Sequence, residues 1–252
     1  MSTNDTVSEA GGRINAFTDF RFEKKDSNLI LAHIGFSFFA VFLGALAGLL
    51  QVMQRSGWIQ LPNWLNYYQL LTAHGVLLAL VFTTFFIIGY LYSGVARTLD
   101  GKLTPVARIL GWIGFYLMAV GTIMATINIL TNESTVLYTF YAPMKASPWF
   151  YIGAALLIVG SWFGAFGIFA AYIRWRKNHK KQSSPLFAYM AVATMILWLH
   201  ASLFVAIEVV FQLIPWSFGI VDRVNVGLSR TLFWYFGHAL VYFWLLPAYI
   251  YW

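Results

Sequence analysis

The sequence predicts an all-α membrane protein of six transmembrane helices, and three observations carry that prediction. Of its 252 residues 60% are hydrophobic, 19% aromatic and only 10% charged, a composition foreign to soluble domains. Six apolar runs each reach the length a helix needs to cross the hydrocarbon core, about 20 residues. Lys and Arg collect in alternate connections between those runs, the asymmetry that marks one side of a membrane as cytoplasmic.

The chain starts with a polar segment, residues 1–28, whose opening "MSTNDTVSEAGGR" is no signal peptide, because the first apolar run begins near Leu29 and is too long for one. The predicted spans are 29–53, 68–93, 109–130, 149–173, 186–214 and 229–252. The first holds His33 near its inner end, within snorkelling reach of water. The second holds His74. The fourth carries Gly160, Gly164 and Gly167 at close spacing, which lets helices approach, and Ser161 beside them. The fifth carries His200 at mid-span and Glu208 toward its outer end. The sixth carries His238, Tyr242 and Tyr249 and runs to the last residue, so an N-terminal portion of a longer polypeptide is expected. No internal repeat or linker divides residues 29–252, which read as one membrane domain, incomplete at its C-terminus.

Of the 16 Lys and Arg residues only Arg55, Lys145, Arg223 and Arg230 fall on the side opposite the N-terminus, so the N-terminus is expected in the cytoplasm. The outer connections "RSGWIQLPNWLNYYQ" and "PWSFGIVDRVNVGLSR" read as interfacial turns with an aromatic belt. The inner connection "RWRKNHKKQSS" makes His179 a solvated loop residue. The formal charge of +7 would suit nucleic acid only on a water-exposed face of a soluble fold. Here the basic groups border apolar runs, so they imply anionic membrane lipid and no nucleic-acid partner. With no Cys, disulfides, zinc–thiolate sites and Cys-ligated clusters are excluded.

Direction gives depth. At ~1.5 Å per residue, His74 lies about one and a half turns, and His238 about two turns, below the outer surface. Two imidazoles from different helices therefore share one layer. Either ring taken singly is equally explained by a hydrogen bond to a neighbouring helix; His200, with no second feature beside it, is better explained that way. Glu208 at its depth is a proton carrier, a partner for a cation or a protonated interhelical donor. His238 and Tyr242 are four residues apart on one helical face, and Tyr249 continues that face inward. An imidazole suits copper or iron, and a phenol beside a metal can supply a proton and an electron. Tyr249 is as well explained as a headgroup anchor.

The stretch "RTLFWYFGHALVYFWLLPAYIYW" resembles the sixth helix of subunit I of the haem–copper oxygen reductases, in their B-type (ba-type) branch. "YYQLLTAHGVLLALVFTTFFIIGYL" is similar to the second helix of that subunit, and "VLYTFYAPMKASPWFYIG" to its connection between the third and fourth. The resemblance covers essentially the whole chain but about half of the subunit, so it implies membership of a bundle of twelve or more helices. It implies that His74 is an axial ligand of the low-spin haem b and that His238 is one of three imidazoles on the active-site copper. Tyr242 is then the tyrosine covalently joined to that histidine, which helps cleave the O–O bond. Tyr249 matches a hydroxyl on the proton path, with Ser161 and Glu208 as weaker members. Trp234 would lie near the copper pocket, though a bulky core aromatic explains it as well. A high-spin haem, a- or o-type, an electron-entry subunit II, cytochrome c as donor and O2 as acceptor are implied too. The other halves of the metal sites belong to the missing C-terminal half of the same subunit. These 252 residues alone are expected to be inactive.

The branch rests on a departure: where the A-type motif reads His-Pro-Glu-Val-Tyr, this chain reads His238-Ala239-Leu240-Val241-Tyr242, so protons are expected by the tyrosine route. Ala239 in place of proline restores a backbone N–H. Nitric oxide reductases usually carry Glu where Tyr242 stands, so Tyr242 favours oxygen. Nitric oxide reduction on the same scaffold, and a proton-coupled transporter or channel built on the buried His and Glu, are the alternative functions.

Overall fold

Polar caps or prolines mark the start of every helix but the first. The computed structural model describes residues 20–251, so most of the predicted N-terminal segment and the final Trp252 lie outside the described residues. Six long helices follow: α1 (Lys24–Arg55), α2 (Tyr67–Thr98), α3 (Pro105–Leu130), α4 (Pro148–Asn178), α5 (Leu186–Ser217) and α6 (Val226–Tyr251). Pro105 and Pro148 occupy first-turn positions, where the missing N–H costs nothing. Asn66 and Gln69 form a reciprocal capping box at the start of α2. The helices overrun the predicted apolar runs at their polar ends; α4 takes Arg176 and Lys177 into its last turn, where cations suit the helix dipole.

Helices α1 to α5 are long and apolar enough to cross a membrane. The sixth has 26 residues, but its Tyr and Trp side chains and His238 dilute its apolarity, so composition alone does not carry the sixth predicted span. Helix α2 is the hub and packs against each of the other five. The tightest pair is α3 with α4, joined through glycines: a Cβ on Gly153 would stand 2.6 Å from the carbonyl oxygen of Gly121. No side chain fits there, which is why the two backbones meet. Of the predicted small residues, Gly160 faces Met118 of α3, Gly164 faces Ile88 of α2, and a Cβ on Gly167 would stand 2.9 Å from the Ala107 carbonyl oxygen.

Polar clamps fix both ends of the bundle. At one end buried Asp26 accepts from the Leu103 N–H at 2.9 Å through Oδ2, and its Oδ1 lies 3.5 Å from Arg108. At the other, the Gln69 side chain donates to the Ile129 and Leu130 carbonyls at 3.2 and 2.9 Å, capping the end of α3. The α3–α4 connection turns back onto the bundle: the Leu137 N–H donates to Thr72 Oγ1 at 3.1 Å, and the Ala142 N–H to Ser229 Oγ at 3.3 Å.

One expectation is corrected. His33 is fully buried and does not reach water; its Nδ1 donates to the Leu29 carbonyl at 3.0 Å, and Phe85, Tyr92 and Phe115 surround its ring. Those rings belong to α2 and α3, so His33 points into the helix contacts and its side chain cannot turn out to water.

Candidate metal and redox site

His74 is placed by a glycine cradle on α1. Its Nδ1 lies 2.9 Å from the carbonyl oxygen of Gly44. A carbonyl only accepts, so Nδ1 carries the hydrogen and the lone pair resides on Nε2. Among the described residues Nε2 has no hydrogen-bond partner. One turn along α1, a Cβ on Gly48 would meet His74 Nδ1 at 2.5 Å and Cε1 at 2.7 Å. The ring therefore sits tight against α1 because residue 48 has no side chain, and Gly44-x-x-x-Gly48 is a small-residue pattern legible in the sequence. Directly after His74 and Gly75, α2 widens into a π-helical stretch, Val76–Phe82. Such stretches re-phase a helix and recur at functional positions.

On α6 the rings of His238 and Tyr242 meet edge to face, with centroids 5.1 Å apart and planes at 67°. His238 is exposed and Tyr242 half-exposed, so the pair stands on an open face of α6. Tyr249 lies further along and is 63% exposed. Trp234 is also on the exposed side, 40% accessible. The imidazoles of His74 and His238 do not touch each other: one lies against α1, the other against Tyr242.

Glu208 is fully buried. Its Oε1 accepts from the Ser229 hydroxyl at the start of α6, while Oε2 has no hydrogen-bond partner among the described residues. Ser229 in turn accepts from Ala142 of the α3–α4 connection. Like His74, Glu208 abuts a π-helical stretch, Val209–Leu213. Ser161 is buried between α4 and α5; it donates to the Ile158 carbonyl at 2.6 Å and accepts from Trp198 Nε1 at 2.7 Å. His179 follows α4 in its connection, stacked on Trp175 with ring centroids 4.8 Å apart. His200 has a partner that the sequence did not reveal: its Nε2 lies 2.6 Å from the hydroxyl of Tyr235 on α6.

These donors suit different bonds. His74 presents a lone-pair nitrogen whose opposite ring nitrogen is held by a carbonyl, the arrangement of metal-ligating imidazoles generally. His238 can supply one bond and no more, since among the described residues no three His, Cys, Asp or Glu side chains converge on a point.

The fold and site thus define a class, a helical membrane bundle that presents one carbonyl-held imidazole and one imidazole–phenol pair. The chain belongs to the cytochrome c and quinol oxidase polypeptide I family, whose model matches residues 28–252. It is 41% identical over 189 residues to cytochrome c oxidase subunit 1 of Thermus thermophilus, covering 75% of this chain and 33% of that protein. It also superposes with a TM-score of 0.84 and 41% identity on a chain of a haem–copper terminal oxidase dimer solved by cryo-electron microscopy, covering 90% of this chain and 39% of that one. The chain thus spans between a third and two fifths of the length of these relatives.

Proposed function

We propose that the chain is the N-terminal portion of the catalytic subunit of a respiratory terminal oxidase that reduces O2 to water with electrons from cytochrome c, coupled to proton uptake from the cytoplasm. The observation that carries the reading is the His238–Tyr242 ring pair in a chain of this family. A low-spin haem b, a high-spin haem of a- or o-type and a copper would supply the electron storage and open coordination positions when bound. The rest of the same subunit, outside these residues, provides the remaining ligands within a bundle of twelve or more helices. An electron-entry subunit II and cytochrome c complete the assembly.

In this reading Nε2 of His74 would hold the low-spin haem iron. The Gly44 carbonyl fixes its tautomer and ring plane and raises its basicity. His238 would give one nitrogen to copper, and its exposed position on α6 leaves room for further imidazoles. Tyr242 holds a phenolic proton and an oxidisable ring one turn from that nitrogen, in edge contact with the imidazole. Tyr249 extends the phenolic face inward as a proton-path hydroxyl, with Ser161 and Glu208 as further members.

The test is substitution in the full-length protein. His74→Ala should abolish the low-spin haem spectrum, and His238→Ala should lower copper content to background with the low-spin haem retained. Survival of both signals overturns the assignments. Steady-state oxygen consumption against nitric oxide turnover decides between the two substrates, and oxygen is expected.

A further inference from the structure

Tyr235 and His200 face each other across the α5–α6 contact, and the reading above does not use them. The phenol oxygen and Nε2 are 2.6 Å apart, at the short end for a hydrogen bond. Phe204 lies against the phenol ring, with centroids 4.0 Å apart, and the His200 ring is edge-on to the same Phe. The acceptor sets this phenol apart from other hydrogen-bonded tyrosines of the bundle. Tyr92 donates to the carbonyls of Ala107 and Gly164, Tyr151 to that of Met144, and Tyr172 pairs with the Ser184 hydroxyl. None of those oxygens takes up a proton readily. An imidazole nitrogen does.

The difference matters because a phenol that loses an electron becomes a strong acid. In the low dielectric of a membrane the resulting charge must leave at once, and only a base already in hydrogen-bond contact can receive the proton without rearrangement. With Nδ1 protonated, His200 Nε2 is that base. Tyr235 also lies on the open face of α6: His238 follows at i+3 and Tyr242 at i+7, one and two turns along, a rise of roughly 10 Å to Tyr242.

We propose that Tyr235–His200 is a second redox-active tyrosine site, which takes up one-electron oxidising equivalents arising beside His238 and holds them away from that centre. In the step the Tyr235 O–H bond breaks, an N–H bond forms at His200 Nε2, and one electron passes to the oxidant. The products are a neutral tyrosyl radical hydrogen-bonded to imidazolium. An incoming electron restores the phenol and the proton returns. The oxidant is the oxygen-activated metal centre, and that supply rests on the function proposed above; the ease of oxidising the pair rests on its geometry alone.

The experiment has two arms on full-length protein purified from membranes. In the first, a photoexcited ruthenium polypyridyl complex with a sacrificial acceptor generates the oxidant, so no haem or copper is needed, and the trapped radical is read by electron paramagnetic resonance. Wild type should give a hydrogen-bonded tyrosyl signal that falls at least severalfold in Tyr235→Phe. His200→Gln keeps a hydrogen bond but not a strong base, and should slow radical formation by at least tenfold with the phenol intact. A signal of the same yield and line shape in Tyr235→Phe overturns the proposal, as does unchanged formation in His200→Gln. In the second arm, hydrogen peroxide is added to protein carrying its metal groups, and a Tyr235 radical is expected. If light generates that radical and peroxide does not, the pair is not wired to the metal centre and the relay is refuted. If the protein carries no metal groups, the function proposed above fails while the first arm still decides the chemistry of the pair.

Discussion

Replacing Gly48 by Ala puts a methyl group 2.5 Å from His74 Nδ1 and 2.7 Å from Cε1. Ordinary contact needs about 3.5 Å or more, so the ring must retreat from α1 by roughly 1 Å. The Nδ1–H···O bond to Gly44 starts at 2.9 Å, and a displacement of that size carries it past the ~3.2 Å limit of a good hydrogen bond. The bond itself contributes only about 1 kcal/mol net. Its loss frees the tautomer and ring plane, and disturbing such a partner typically weakens a metal bond by about 10–100-fold. Fold stability should not fall in parallel, because Ala exceeds Gly in helix propensity by about 1 kcal/mol. Gly35→Ala, on the same helix with nothing within 4 Å of the added Cβ, is the control. The assay is the haem-to-polypeptide ratio and the reduced-minus-oxidised spectrum of the full-length protein in detergent. Gly48→Ala should lose or shift the low-spin haem signal while Gly35→Ala keeps it. A Gly48→Ala protein with wild-type haem content and spectrum would refute the cradle.

Three further outcomes follow from the buried polar contacts. Ser229→Ala strips buried Glu208 of the hydroxyl that its Oε1 accepts from, and should cost about 1–3 kcal/mol, read as a lower thermal midpoint. Adding Glu208→Leu should recover much of that loss, and additive effects of the two changes would disprove the coupling. Asp26→Ala removes the acceptor of the Leu103 N–H and the buried partner of Arg108; about 2 kcal/mol is expected for a bond to a charged group. Glu23→Ala, whose side chain is 46% exposed beside the same Arg108, should cost less than about 1 kcal/mol, and the reverse order in thermal unfolding would contradict the clamp. Gly121→Val drives a side chain into the backbone of α4 at Gly153, which cannot yield as a flexible side chain can. It should prevent accumulation of folded protein, measured as detergent-soluble yield, whereas Gly35→Val should leave most of it.

The helices were legible because apolar length is a property of the chain itself, and so was the packing of Gly160, Gly164 and Gly167, since small residues at helical spacing have one main use. His238 and Tyr242 were legible together because four residues make one turn. The Gly44-x-x-x-Gly48 pattern was visible, yet nothing local says that its groove receives an imidazole from another helix. His200 shows the limit most clearly. Its partner Tyr235 is 35 residues away, and only the pairing of α5 with α6 joins them. Glu208 with Ser229, and the return of the α3–α4 connection to Thr72 and Ser229, are likewise products of tertiary contact. His33 departs from expectation because the direction of its ring is set by Phe85, Tyr92 and Phe115 on other helices, which the sequence around it does not show.

The most direct test of the central claim is a density map of the full-length protein resolved well enough to orient the His74 ring and locate iron. Iron is expected on Nε2 of His74, with Nδ1 turned to the Gly44 carbonyl and the ring packed against Gly48. Iron on Nδ1, or an imidazole facing lipid with no porphyrin beside it, would contradict it.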